Sequence, residues 1–155
     1  MSIVKTPIVK CVERLKGATK FRPAGLCYLC QQHCNAAVCE VCEQDCLFFN
    51  DQKVAGNLLN WPNIKQGLTP GRYQQMCALG YFQWPLDHLI RHFKYGHPLL
   101  AEPLAQWFLR YSAALSGPLP DCPLPVPISP WRFAKRQYHQ TLLLADYLGK
   151  HLDIP

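Results

Sequence analysis

Hydrophobic positions along this chain fall into unlike stretches. Leu86, Leu89, Ile90 and Phe93 recur at i, i+3, i+4 and i+7, the stripe of a helix with one buried face. Pro85 suits its first position, Gly96 its end, and Asp87, Arg91 and Lys94 fall opposite. A second stripe, Leu100, Leu104, Trp107, Phe108, Tyr111 and Leu115, predicts a helix starting near Pro98 or Glu102, with Pro103 in its first turn and Gly117 at its end. Few residues join the two, so a helical hairpin is expected. Prolines 123, 125 and 127 alternate through 124–128, which predicts a short extended segment at a sheet edge, where missing N–H groups are tolerated. A loop is expected from Ser129 to His139. Leu142, Leu143, Ala145 and Leu148 then mark a third helix, with Gly149 and Lys150 as its stop signals.

The N-terminal half is patterned differently. Residues 1–26 carry Lys5, Lys10, Arg14, Lys16, Lys20 and Arg22 against Glu13 alone, a basic lead-in with a short helix expected near Val12–Leu15. Residues 27–46 are cysteine-rich. Residues 47–79, frequent in Asn, Gln, Gly and Pro, read as a connector that packs through Leu58, Leu59, Trp61 and Ile64. Residues 80–155 hold the helices and the Pro-rich segment.

Composition narrows the class. With 49% hydrophobic and 17% charged residues in 155, a real core can form and the composition argues against general disorder. Fourteen prolines argue against a simple helical bundle. No run of about 18 apolar residues spans a membrane, and the N-terminal residues contain no secretory signal pattern. A cytoplasmic location is expected.

Six of the nine cysteines lie between Cys27 and Cys46. Without a signal peptide, such a cluster points to a metal site in a reducing compartment rather than to disulfides. Cys27-Tyr-Leu-Cys30 and Cys39-Glu-Val-Cys42 are two C-x2-C pairs, each able to present two sulfurs from one turn. Together they satisfy tetrahedral Zn(II) with no open position, so one structural Zn(II) per chain is expected on Cys27, Cys30, Cys39 and Cys42. A set of Cys30, Cys34, Cys42 and Cys46 is sterically conceivable but lacks the two-residue gaps. Cys34 and Cys46 otherwise remain as spare, half-exposed thiols, open to a redox role. Four thiolates and one divalent ion bring the formal charge from +6 to +4, which permits phosphate or nucleic-acid contact without proving it. Loss of the ion is expected to loosen the N-terminal third and leave the helical hairpin largely folded.

Three stretches together are similar to the ComF/GntX family, bacterial phosphoribosyltransferase-like proteins with an N-terminal zinc ribbon. They are the Cys27–Cys42 pairs, the segment Tyr81-Phe-Gln-Trp-Pro-Leu-Asp-His-Leu-Ile-Arg-His-Phe-Lys-Tyr95, and Leu124-Pro-Val-Pro-Ile-Ser-Pro-Trp-Arg-Phe-Ala-Lys-Arg-Gln-Tyr-His-Gln140 followed by Leu143-Leu-Ala145. The second resembles the family's "Y…PL…LI…FK(F/Y)" and the third its "PVPL…R…RGFNQ…LLA". The resemblance implies an α+β, mainly helical chain: a zinc ribbon or knuckle, a helical hairpin, and the first strand–helix unit of an incomplete phosphoribosyltransferase-like α/β domain. It implies a part in DNA uptake (competence), with a protein partner there, or in the handling of phosphoribosyl compounds.

Departures from the family shape that expectation. Region 47–79 holds only Cys77, so a second set of cysteine pairs is missing. Gly and Asn of "RGFNQ" are replaced by Gln137 and His139. No two of the ten acids are adjacent, and Thr6, Thr19, Thr69 and Thr141 lie in no Gly-rich loop. Without backbone N–H groups wrapped around a phosphate, no strong phosphate cradle exists. The implied protein is a shortened family member that does not transfer phosphoribosyl groups alone.

Arg132, Lys135, Arg136 and His139, interleaved with Trp131, Phe133 and Tyr138, form a basic aromatic stretch free of acids. This suits a phosphorylated ligand or single-stranded DNA, where cations meet the backbone and rings stack on bases. The same stretch also reads, more simply, as a solvated loop whose rings cap the core. A small zinc-ribbon module for nucleic acid is the competing function. His88 and His92, four apart, share a helix face near His97, but no third metal ligand is evident, and they read as surface or half-buried histidines.

Overall fold

The computed structural model describes residues 25–49, 51–68, 73–112 and 119–154. The basic lead-in, with its expected short helix, lies almost wholly outside them, as do Cys11, Leu115 and Gly117. In chain order the helices are α1 (Glu40–Gln44), α2 (Pro62–Gly67), α3 (Leu86–Lys94), α4 (Ala101–Tyr111), α5 (Pro130–Arg136) and α6 (Gln140–Leu152), with 3-10 turns at Asp51–Val54, Leu58–Asn60 and Pro98–Leu100. The described residues are thus mostly helical. Their β pairing consists of two isolated antiparallel bridges, Leu26 with His33 and Phe48 with Gly80.

Hydrogen bonds pin the described part of the connector. Asn57 caps the turn at Leu58 by accepting from Leu59 N–H and Met76 N–H, while Leu58 N–H donates to Met76 O at 2.8 Å. Val54 and Leu58 are buried. At the Phe48–Gly80 bridge, a Cβ on Gly80 would lie 2.6 Å from Leu47 O, so only glycine lets the two segments cross.

Helix α3 buries Leu86, Leu89 and Phe93, as the stripe predicts. The chain then turns at Gly96, where φ is +131°, and enters α4 through the Pro98–Leu100 turn. Pro103 sits in the first turn of α4, whose missing intrahelical bonds cost nothing there. Helix α4 ends at Tyr111 rather than at Gly117, with Ser112 in extended backbone. The expected hairpin is also modified: α3, the Pro98–Leu100 turn and α4 share Leu89, Phe93, Leu100 and Leu104 in one core, but the helix packed most extensively on α4 is α6.

Three expectations about the C-terminal part need correction. The segment 124–128 has no strand partner among the described residues, so no strand–helix unit is formed there. Its alternate prolines remove N–H donors. Pro123 and Pro125 lie along α6 beside Leu142, Ala145 and Gly149, while Leu124 and Val126 are 91% and 72% exposed. The 129–139 stretch is not wholly a loop. Ser129 accepts from Arg132 N–H, Pro130 takes the first helical position, and α5 runs to Arg136 before Gln137 ends it in left-handed backbone at φ +64°. Finally, α6 continues through Gly149 to Leu152. Gly149 is a packing residue, because a Cβ there would meet Ile154 O at 3.0 Å and Pro123 Cγ at 3.7 Å.

Tyr138 joins α5 and α6 to α3. Its buried hydroxyl donates to Phe93 O and receives Gly96 N–H at 3.3 Å, and Gln140 Nε2 donates to Lys94 O at 3.3 Å. The last carbonyls of a helix lack intrahelical donors; here two side chains from the next element supply them. Burial, opposed by donors that include Gly96 N–H, holds the Tyr138 phenol above its ordinary pKa.

Candidate metal centre

Local backbone dictates how the cysteines converge. Gly25, at φ +93°, and Gln31, at φ +59°, turn the chain on either side of the first pair. Cys27 N–H donates to Gln32 O at 2.9 Å, Gln31 N–H to Cys27 O at 3.0 Å, and Cys34 N–H to Gly25 O at 2.8 Å. These bonds close a tight knuckle around Cys27 and Cys30. The second pair is set differently: Cys39 is the N-cap residue of α1, and Cys42 follows on its first turn. Tyr28 N–H, bonded to Ala37 O at 2.9 Å, holds the two halves together.

The ligand atoms of Cys27, Cys30, Cys39 and Cys42 all lie within 4.8 Å of one another, and Cys30 Sγ is 3.7 Å from Cys39 Sγ. Backbone N–H groups of Leu29 and Cys39 point at Cys27 Sγ, at 3.4 and 3.3 Å. Four sulfurs around one point, with amide donors aimed at one of them, can hold one metal ion. Cys34 and Cys46 are outside this group. Cys34 donates to Ala36 O at 3.0 Å, and Cys46 donates to Cys42 O at 3.5 Å. Cys46 is buried rather than half exposed, because α1 folds it into the core.

Charge explains how the cluster could take a cation. Burial opposes ionisation of Cys27, but N–H donors from Cys30, Cys39 and Leu29 outweigh it and draw the thiol down to about 6. Burial pushes Cys42 up, reinforced by the thiols of Cys39, Cys30 and Cys27. Cys46 is pushed up to about 11 by burial and by the charges of Glu43 and Asp45. A thiolate formed at Cys27 thus resists a second one beside it, and a divalent ion relieves that repulsion.

The knuckle shares its core with the helices. Cys27, Val38 and Cys46 are buried in one cluster with Leu86, Leu89, Phe93, Leu100, Leu104 and Trp107. A clasp reinforces this contact: Glu43 of α1 receives Arg110 Nη1 at 2.6 Å and Tyr111 OH at 2.7 Å from the end of α4. The hydrogen bond to Glu43 raises the Tyr111 phenol, and Tyr111 and Glu43 raise the Arg110 guanidinium. Beside the clasp lies a groove of about 490 Å³ lined by Glu43, Glu102, Gln106 and Trp107 among others. Its carboxylates make it a poor seat for phosphate, and its Arg110 is already paired.

The basic stretch is distributed over α5 and the start of α6. Arg132 and Lys135 are exposed, while Arg136 bonds Gln140 Oε1 at 3.0 Å and lies 5.6 Å over the Tyr95 ring. His139 is instead the cap residue of α6. Its Nδ1 accepts Leu142 N–H at 3.2 Å. Tyr138 caps the core, whereas Trp131 is 79% exposed. Sequence pattern missed that this surface continues onto α3, where Arg91 and Lys94 each lie 5.8 Å from the Phe82 ring centroid. Arg91 and Lys94, three apart on the solvent face of α3, were the available signal.

No protein-family model matches the chain, and no curated protein or solved structure shows significant similarity to it. No helix among the described residues is long and apolar enough to cross a membrane.

Proposed function

We propose that this chain is a zinc-ordered binding module for single-stranded nucleic acid. One Zn(II) on Cys27, Cys30, Cys39 and Cys42 is the ion that best suits a closed four-thiolate set. Such a site is structural: all four positions belong to protein, so the ion fixes the knuckle against α3 and α4 and supplies no bound water. The binding face is the continuous run of rings and cations formed by Phe82, Arg91, Lys94, Tyr95, Arg136 and, further along α5, Trp131 with Arg132 and Lys135.

The observation that carries this reading is the placement of Arg91 and Lys94 over Phe82 and of Arg136 over Tyr95. Cations beside exposed ring faces suit a strand whose phosphates take the charges and whose bases stack on the rings. The resemblance to the ComF/GntX family supports the same direction and suggests DNA uptake as the setting. On this reading the chain contributes zinc-ordered binding surface, and phosphoribosyl transfer is not its activity.

Fluorescence anisotropy with a labelled oligothymidylate tests the proposal. Binding should weaken linearly in log–log salt. Removing the three cations of α5 together, R132A with K135A and R136A, should reduce the slope by about 2, from ~0.7 per phosphate contact on a single strand. A salt slope that the triple substitution leaves unchanged would refute the assignment of this face.

A further inference from the structure

A file of three imidazoles crosses the surface beside the knuckle. His88 and His92 occupy successive turns of α3 with ring centroids 4.3 Å apart, and the ring of His97 lies 5.0 Å from that of His92. His97 reaches this place because the chain reverses at Gly96 and its own N–H donates to His92 O at 3.2 Å. Trp84 packs edge-on against His88 at 5.3 Å, and Tyr28, from within the first cysteine pair, packs edge-on against His97 at 5.6 Å. All three histidines are half-buried, and none of their ring nitrogens bonds a protein atom among the described residues.

We propose that His88, His92 and His97 form a second metal site, distinct from the four cysteines, that takes one borderline divalent ion of the Zn(II) or Cu(II) class. Histidines at i and i+4 on one helix face direct two nitrogens at a common point. The third imidazole, which sequence spacing on α3 does not supply, arrives from the turn. Imidazole alone, without carboxylate, selects ions such as Zn(II) and Cu(II) over Mg(II) or Ca(II). The rings stand in a row, so coordination requires the outer two to rotate inward about His92. As they stand, the three rings do not bring their nitrogens together as the cysteines bring their sulfurs, so the ion itself must draw them in. The cations of α3 do not block the approach: Arg91 is paired with Asp87 at 3.4 Å, and both Arg91 and Lys94 lie over Phe82. Three protein ligands leave one coordination position to solvent, unlike the closed cysteine site.

The test uses the whole chain already carrying one zinc on its cysteines. Isothermal titration with further Zn(II) should show a second equivalent. Separate H88Q, H92Q and H97Q substitutions should each weaken it by about tenfold or more, the scale set by the loss of even a supporting group at a metal site. Metal content of the starting protein should stay at one zinc in every variant, which separates this site from the cysteines. On unsubstituted protein, long-range imidazole proton–nitrogen spectra should show Zn(II) shifting the resonances of these three histidines and leaving His33, His139 and His151 in place. Absence of a second equivalent, its persistence in all three variants, or shifts at other histidines would overturn the proposal.

Discussion

Tyr138 offers the sharpest way to perturb the geometry that places α5 beside α3. Its hydroxyl is the partner of two backbone groups, Phe93 O and Gly96 N–H. Tyr138→Phe keeps the ring and removes both bonds. Gly96 is exposed, so water can replace the lost acceptor there. Phe93 lies in the core, and its carbonyl loses its donor. An unsatisfied buried polar group costs about 1–3 kcal/mol, so a loss of ~2 kcal/mol is expected. For a chain of this size that lowers Tm by roughly 4–8 °C. Tyr138→Leu also forfeits ring packing and should cost about 3–5 kcal/mol. Urea unfolding followed by circular dichroism on the zinc-loaded protein measures both. The denaturant slope should stay constant, since neither change alters the surface exposed on unfolding. A Tyr138→Phe variant within ~0.5 kcal/mol of the parent would show that the hydroxyl does not cap α3, and the account of how the basic helix is seated would fail with it.

Other consequences can be checked as directly. Gly80→Ala should cost about 1–3 kcal/mol in the same unfolding assay, because its Cβ would sit 2.6 Å from Leu47 O. A double-mutant cycle of Glu43→Gln and Arg110→Ala should give a coupling of no more than ~1 kcal/mol, since the Arg110 side chain is largely exposed and solvent screens the pair. The lowered Cys27 thiol sets a pH dependence. Its folded value of about 6 lies below the ordinary 9.0, so its contribution to the metal-free fold is complete above about 9 and is lost as pH falls through 6. Stability of the metal-free protein should therefore rise as pH climbs from about 6 toward about 8, before the raised thiols of Cys42 and Cys46 oppose it near the ordinary 9.0. Zinc loading at pH 7, followed by calorimetry in buffers of different ionisation enthalpy, should release fewer than four protons.

Some of this was legible in the sequence because it depends on spacing alone. The two C-x2-C pairs identify the cysteines that converge, and the stripe from Leu86 to Phe93 locates α3 and its buried face. Other features depend on distant partners. Helix α5 is short and has no buried residue, so periodicity could not reveal it; the Ser129 cap and Pro130 were its local signals. Gly149 looks like a stop signal until the close approach of Pro123 and Ile154 explains why a small residue belongs inside α6. The Pro-rich segment has the pattern of an edge strand, but among the described residues no sheet is present for it to edge. The clasp between Glu43 and Arg110 and the His97 ring beside His92 arise from chain reversals that a linear pattern does not encode. So does the most consequential difference. Cys27 and Cys46 lie in the same core as Leu89 and Trp107, so the helical hairpin should respond to the metal rather than remain indifferent to it.

The central claim is that one ion on the four cysteines orders the knuckle and, through the shared core, the helices behind it. Hydrogen exchange on zinc-loaded and chelator-stripped protein, with metal content measured in parallel, tests it directly. One zinc per chain should be found, and its removal should lower amide protection in residues 27–46 and also across α3 and α4. A stripped protein with unchanged protection in all three segments would contradict the account.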